Sequence, residues 1–311
     1  MEARGVATLE CLLGLAVGDA LGAFWEGTSI DLIEIDKDSM EILMGLDSWR
    51  WTDDTQMALS IVSILGEHGT IRQDALAGAF SARYQSGRGY GSGMHFLMQE
   101  LRLGKNWRNL SPKLFGTGSY GNGSAMRVPP LGAFFKDATP EQVIREASAS
   151  AEVTHFHHEA REGAKAVALG AWLAARSSGT EGLSFQDYLN SILGLMPDDS
   201  EVRAGIQKAL SLGPAAPLNK AVEMLGNGSR VTCQDTVPLV LWIAACNQDD
   251  FKGGVLKAIR AGGDTDTNAA VVGGIIAARV GIDGIPQDWL AKLEPLPNVW
   301  GRPRKEGCVQ S

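Results

Sequence analysis

The run Ala269-Ala270-Val271-Val272-Gly273-Gly274-Ile275-Ile276-Ala277-Ala278 constrains this chain more than any other stretch. It is apolar throughout and built of small side chains, so it reads as a helix buried in the core. Immediately before it stands Gly262-Gly263-Asp264-Thr265-Asp266-Thr267-Asn268. The two glycines let the backbone turn tightly. Two aspartates and two threonines then crowd oxygen atoms at the N-terminal end of a core helix. Taken alone, these acids read either as caps that complement the helix dipole or as ligands of a hard cation such as Mg²⁺, Mn²⁺ or Ca²⁺.

The same pattern occurs once more, at Trp51-Thr52-Asp53-Asp54-Thr55-Gln56-Met57. Met57, Ile61, Ile64 and Leu65 recur at helical spacing, with Thr52 or Asp53 as the N-cap. One acid-rich helix start is ordinary. Two of them, both flanked by threonine and far apart in sequence, exceed what capping asks for, and a shared cation would give them a reason to meet. A third helix is predicted from about Ala7 to Ala23. Gly14, Gly18 and Gly22 recur on one of its faces, which lowers intrinsic helix stability but allows a neighbouring helix to come close. Beyond it lies the loop Phe24-Trp25-Glu26-Gly27-Thr28, where Glu26 alone reads as a surface acid.

Two glycine-rich segments follow. Ser86-Gly87-Arg88-Gly89-Tyr90-Gly91-Ser92-Gly93 lacks the Gly-Lys-Ser/Thr ending of a nucleotide P-loop. Its amides would cradle phosphate oxygens at the next helix start, or the segment is a flexible linker. Phe115 to Arg127 lets a ligand approach the main chain, with Phe115 or Tyr120 placed to stack on a base. Arg127 reads either as a partner for carboxylate or phosphate or as a structural anchor. In Thr154-His155-Phe156-His157-His158-Glu159 the histidine spacing is not that of a zinc protease helix, and no cysteine is near.

Composition excludes several classes. A formal net charge of -8 argues against non-specific nucleic-acid binding. None of the four cysteines forms a Cys-x-x-Cys pair, and a reducing, cytoplasmic compartment is expected. Cys11 to Val17 resembles a signal-peptide core, but Glu2, Glu10 and Asp19 flank it, and no membrane span is expected. Residues from Ile30 to Trp49 are expected to form a loop with short irregular elements. The basic cluster Arg302-Pro303-Arg304-Lys305 reads as a solvated end. With no βαβ alternation and no period-two run, the chain is expected to be an all-α, compact single domain over residues 1–311.

Taken together, certain pieces of the chain resemble the ADP-ribosylhydrolase family, which includes the dinitrogenase-reductase-activating glycohydrolases. They are Gly18-Asp19-Ala20-Leu21-Gly22 with Glu26, Thr52-Asp53-Asp54-Thr55, Gly121-Asn122-Gly123-Ser124-Ala125-Met126-Arg127, Thr154-His155, and Gly262-Gly263-Asp264-Thr265-Asp266-Thr267. They stand in family order and span nearly the whole chain. The resemblance implies an all-α fold with a binuclear site for two divalent cations, Mg²⁺ or alternatively Mn²⁺. It implies that Thr52, Asp53, Asp54, Asp264, Asp266 and Thr267 are ligands. Glu26 would be both a metal-approaching glutamate and the acid/base or water-orienting group. Gly89, Gly91, Gly118, Ser119, Tyr120, Gly121, Asn122 and His155 would contact ADP-ribose, with Tyr120 near the adenine and His155 at the distal ribose. The partners implied are ADP-ribose and an ADP-ribosylated protein or small molecule, and a monomer is expected. Both glycine-rich loops look like the branch acting on serine-linked ADP-ribose and poly(ADP-ribose). The arginine-specific branch usually carries an aspartate in the first loop, and none stands between Ser86 and Gly93. Crystallin-like, non-catalytic relatives keep a structural role open as the alternative.

Overall fold

The structure, a computed structural model, describes residues 3–29 and 31–299. The tail cluster at 302–305 and Cys308 lie outside the described residues. Within them the chain forms α1 (Ala3–Gly22), α2 (Lys37–Gly45), α3 (Asp53–His68), α4 (Gln73–Arg83), α5 (Ser92–Arg102), α6 (Trp107–Leu110), α7 (Pro129–Phe134), α8 (Pro140–Glu152), α9 (His158–Arg176), α10 (Phe185–Leu193), α11 (Glu201–Leu212), α12 (Leu218–Leu225), α13 (Cys233–Cys246), α14 (Phe251–Arg260), α15 (Thr265–Val280) and α16 (Gln287–Lys292). Among the described residues there is no strand, only the isolated bridges Trp49–Leu293 and Gly121–Thr232.

The small-residue run is the centre of this arrangement. Every residue of α15 from Thr265 to Arg279 is buried. Its longest partner is α1, and the four-residue glycine repeat is the contact face. A β-carbon on Gly14 would lie 2.2 Å from Ala277 Cβ, one on Gly18 2.1 Å from the Ala269 carbonyl oxygen, and one on Gly22 2.4 Å from that of Thr265. The backbones of the two helices therefore touch with nothing between them. Thr265 Oγ1 fastens the end of the contact by donating to the Gly22 carbonyl at 2.9 Å. Helices α14, α9, α13 and α7 pack around the remaining sides of α15. On length and composition α1 could cross a bilayer, but most of it is buried in this core.

This contact gives the first testable expectation. In Gly18→Ala the added methyl meets main chain, which cannot rotate away, so α1 and α15 must separate. Overpacking of this kind costs about 1–3 kcal/mol, and a rigid backbone neighbour places the loss at the top of that range. The control is Gly78→Ala in α4, where the new methyl meets nothing within 4 Å. There the substitution should stabilise by about 0.5–1 kcal/mol through helix propensity. Denaturant midpoints of the two variants that moved in the same direction would contradict the packing described.

The segment before α3 departs from expectation. Residues 37–45 form a regular helix rather than an irregular loop, because Asp36 caps it by accepting from Ser39 N at 2.7 Å and Leu43 anchors it in the core. Its acid-rich, weakly apolar sequence hides the helical period. The histidine cluster stands where the chain passes from α8 into α9, with His158 the first residue of α9. Beyond Gly281 the described chain buries Ile285, Trp289 of α16 and Val299.

Candidate active site

Both acid-rich helix starts face one cavity of about 670 Å³, within the ordinary range for small-molecule sites. Whether their carboxylates are merely caps is decided by where the capping hydrogen bonds go. At α3 the caps are Thr52 and Asp19. Thr52 Oγ1 accepts from Asp54 N at 3.3 Å. Asp19, fully buried on α1, reaches across with Oδ2 to accept from Thr52 N and Thr55 N, both at 3.0 Å, and from Thr55 Oγ1. Asp54 N and Thr55 N are thus satisfied without the Asp53 or Asp54 carboxylates, and Asp54 Oδ2 itself accepts from Thr52 Oγ1 at 3.2 Å. Asp54 Oδ1 is buried with no hydrogen-bond partner.

The start of α15 is built in the same manner. Gly262 and Gly263 hold φ of +70° and +68°, and a β-carbon on Gly262 would lie 2.0 Å from the Asp31 carbonyl oxygen. Only glycine fits this turn. Asp264 occupies the N-cap position but makes no capping bond. Instead its Oδ2 accepts from Asn122 Nδ2 at 2.6 Å, and Asn122 also donates to Thr236 Oγ1 at 3.0 Å. Asp266 Oδ1 accepts only from the adjacent Thr267 N, at 2.8 Å.

The result is a concentrated negative field. Burial, then the charges of Asp19 and other acids, holds the Asp53 and Asp54 carboxyls well above the usual range. Asp266 is raised in the same way by burial, Asp264 and Asp54. Glu26, exposed at the cavity edge, is raised by partial desolvation, Asp264 and Asp19. Asp19 is pushed up to about 6 by burial, with its four hydrogen bonds pulling the other way. Among the described residues no group of three or more His, Cys, Asp or Glu side chains is arranged to hold a metal ion. The donor set nevertheless suits hard cations: carboxylate and hydroxyl oxygens, one of them buried and unpartnered, converging without a basic side chain between them.

The opposite wall is the second glycine-rich segment. Ser119, Tyr120, Gly121, Asn122 and Gly123 line the cavity with Phe115 and His155. His155 is buried, and burial with nearby Arg127 pushes its imidazole down to about 3, so it is neutral. Its Nδ1 lies 2.7 Å from Thr154 Oγ1 and its ring edge abuts Gly121 and Gly123. The other two histidines go elsewhere. His157 caps α9 through Glu159 N and meets the Tyr120 ring edge-on at 5.3 Å, while His158 lies near Glu162 and Asp199.

The first glycine-rich segment is not a flexible linker. Arg88 folds back over the Trp51 ring at 3.5 Å, donates to the Trp51 carbonyl, and pairs through both terminal nitrogens with Glu294 at 2.7 and 2.8 Å. The Tyr90 hydroxyl donates to Gln56. These ties set Gly89 against Asp53, where a β-carbon would lie 3.1 Å from Oδ1.

Of the residues expected at the site, Glu26, Asp53, Asp54, Gly89, Gly91, Ser119, Tyr120, Gly121, Asn122, His155, Asp264, Asp266 and Thr267 line the cavity. Thr52 and Gly118 stand behind the wall. Thr52 caps α3, and Gly118 packs on the main chain of Phe156 and His157. Arg127 is the structural anchor of its two readings: it is fully buried, donates to the Ser150 carbonyl, and lies 4.5 Å from the Phe80 ring. Two contributors went unassigned by sequence reasoning. Asp19 supplies the remote cap, and residues 228–232 complete the wall. A larger, shallower hollow of about 910 Å³ beside α4 and α8 has no such convergence, since its Asp74 is already held by Arg108 and Trp107.

A sequence profile of the ADP-ribosylglycohydrolase family matches residues 4–306. Human ADP-ribosylhydrolase ARH3 is 27% identical over 91% of this chain and 88% of that protein. ADP-ribosylarginine hydrolase Tri1 of Pseudomonas putida is 27% identical over 91% of this chain and 72% of that protein. A solved ADP-ribosylglycohydrolase-related protein complex superposes with a TM-score of 0.68 over 94% of both chains at 24% identity, a likeness of fold. The chain belongs to the ADP-ribosylglycohydrolase family. It is a hydrolase acting on ADP-ribosyl conjugates, similar to the ARH3 branch.

Proposed function

We propose that this protein is a divalent-metal-dependent hydrolase that cleaves the glycosidic bond at the distal ribose of O-linked ADP-ribosyl conjugates and releases ADP-ribose. ADP-ribosylserine, poly(ADP-ribose) and O-acetyl-ADP-ribose are the substrates meant. One observation carries the reading: the Asp54 and Asp264 carboxylates, neither of which caps its helix, face a glycine-lined wall across a single cavity.

Asp53, Asp54, Asp264, Asp266 and Thr267 would hold two cations, Mg²⁺ or Mn²⁺, with Glu26 at the edge and the implied ligand Thr52 behind them as the cap of α3. Bound there, such a pair supplies the positive charge that orients vicinal ribose hydroxyls and polarises a water. The chain does the rest. The Ser119–Asn122 segment would lie along the diphosphate, and Phe115 and Tyr120 offer ring faces to the adenine. His155, held neutral, hydrogen-bonds the distal ribose. Glu26 keeps its proton more readily than an ordinary glutamate, which suits it to exchange protons with the leaving oxygen and the attacking water. In the net step the anomeric carbon–oxygen bond breaks, a water oxygen bonds to that carbon, and the water proton passes to the departing hydroxyl.

The absence of an aspartate between Ser86 and Gly93 and the similarity to ARH3 support an O-linked acceptor. Similarity to the arginine-acting Tri1 favours the second reading, an N-linked arginine acceptor. The test is a panel of serine-linked, arginine-linked, polymeric and O-acetyl ADP-ribose, each with Mg²⁺, Mn²⁺ or chelator. O-linked members should release ADP-ribose with metal and not with chelator. Preferential cleavage of the arginine conjugate would reverse the linkage assignment, and full activity in chelator would remove the metal.

A further inference from the structure

Residues 228–232 join the two walls of the cavity. At one end a β-carbon on Gly228 would lie 2.7 Å from Asp264 Cβ. At the other, the Val231 carbonyl accepts from Asn122 N at 3.2 Å, and Cys233 N donates to the Tyr120 carbonyl at 3.1 Å. Between them Val231 adopts φ +55°, a left-handed backbone that is strained for a β-branched residue. Among the described residues only Phe115 is another non-glycine in that region, and it lines the same cavity. Val231 is 58% exposed, so burial of its side chain does not compensate the strain.

What this backbone presents is Arg230. Its amide donates to Asp235 Oδ2 at 2.9 Å, and its Nε lies 3.3 Å from Asp235 Oδ1, a carboxylate that is itself buried. The guanidinium is therefore held through Nε by a buried carboxylate, while the side chain remains 78% exposed. It is the sole Lys or Arg among the described residues that line the cavity. An ADP-ribosyl unit brings a doubly charged diphosphate into a space walled by Glu26, Asp53, Asp54, Asp264 and Asp266. Main-chain amides offer it only partial charges.

We propose that Arg230 is the specificity-determining cation for the substrate's diphosphate, pairing with it from the loop that hydrogen-bonds the Tyr120–Asn122 main chain. The planar fork of a guanidinium matches phosphate oxygens in a way a single amide does not. The inference rests on the ADP-ribosyl reading of the cavity. It adds that phosphate recognition is shared between the glycine-rich segment and a side chain on a different loop.

Calorimetric titration of the full chain with Mg²⁺ present tests it, using ADP-ribose and the phosphate-free ligand adenosine. Arg230→Gln should weaken ADP-ribose binding about tenfold, a charge-assisted contact discounted for exposure, and leave adenosine within about twofold. Arg230→Lys should recover part of the loss. In turnover the Gln variant should raise KM with kcat nearly kept. Unchanged ADP-ribose affinity in Arg230→Gln overturns the role of Arg230 alone. So does an equal loss of adenosine, since the residue then merely supports the loop. A wild-type protein that does not bind ADP-ribose overturns the reading of the cavity and this inference with it.

Discussion

Glu26→Gln should bind ADP-ribose within a few-fold of wild type and lose hydrolysis by about 10²–10⁴-fold, the usual contribution of a positioned acid or base. The glutamate stands at the rim of the acid wall, and its carboxyl is raised by partial desolvation and by Asp264 and Asp19. Glutamine preserves its shape and some of its hydrogen bonding but cannot exchange a proton. The substitution does not touch the glycine-rich wall proposed to hold ADP-ribose. Calorimetry with ADP-ribose, beside chromatographic turnover on the best substrate of the panel, separates the two effects. Turnover near the wild-type rate would remove Glu26 from the proton-transfer role.

The second large effect concerns stability. Asp53, Asp54 and Asp266 bind protons more readily in the folded chain than in the unfolded one. For a group whose folded pKa is raised, the associated stability is fully present below the ordinary carboxylate range. It is lost as pH rises through the folded value. Asp19 marks part of that window, moving from 3.8 to about 6. In chelator, the melting temperature should therefore fall between pH 5 and pH 8 on the order of several degrees. Divalent cation should restore about 2.7 kcal/mol at a hundred times its dissociation constant. Asp54→Asn should raise the melting temperature in chelator at pH 8 and blunt the response to metal. A chelated protein that grew steadily more stable from pH 5 to pH 8 would show that the acids are neutralised by some other means.

Much of the architecture could be read from sequence where its cause is local or periodic. The all-apolar character of 269–278 announced the central helix, and the glycine spacing in α1 announced a close neighbour. The paired acid-rich starts announced that distant segments meet. The cap on α3 could not be read in this way. Sequence rules look for a capping side chain next to the helix, whereas Asp19 comes from 33 residues before Thr52. Its carboxylate frees Asp53 and Asp54, so the strongest argument for the site depended on a contact that only the fold creates. Arg230 was hidden for a related reason. Nothing around it marks a ligand contact until the Val231–Asn122 hydrogen bond carries its loop to the glycine-rich wall. Lys37–Gly45 was missed because a short, mostly exposed helix carries little apolar period.

The α1–α15 contact also bears on how the chain is made. Gly22 and Thr265, which fasten its end, are 243 residues apart. During synthesis the glycine face of α1 leaves the ribosome long before its mate exists, and a nascent apolar helix without a partner is a target for chaperones and for aggregation. Closing so long a loop is slow and comes late. Asp19 and Glu26 come near Asp264 and Asp266 only after that closure, so a partly made chain lacks the acid-lined cavity. Ligand binding by this protein should thus report completion of the whole fold.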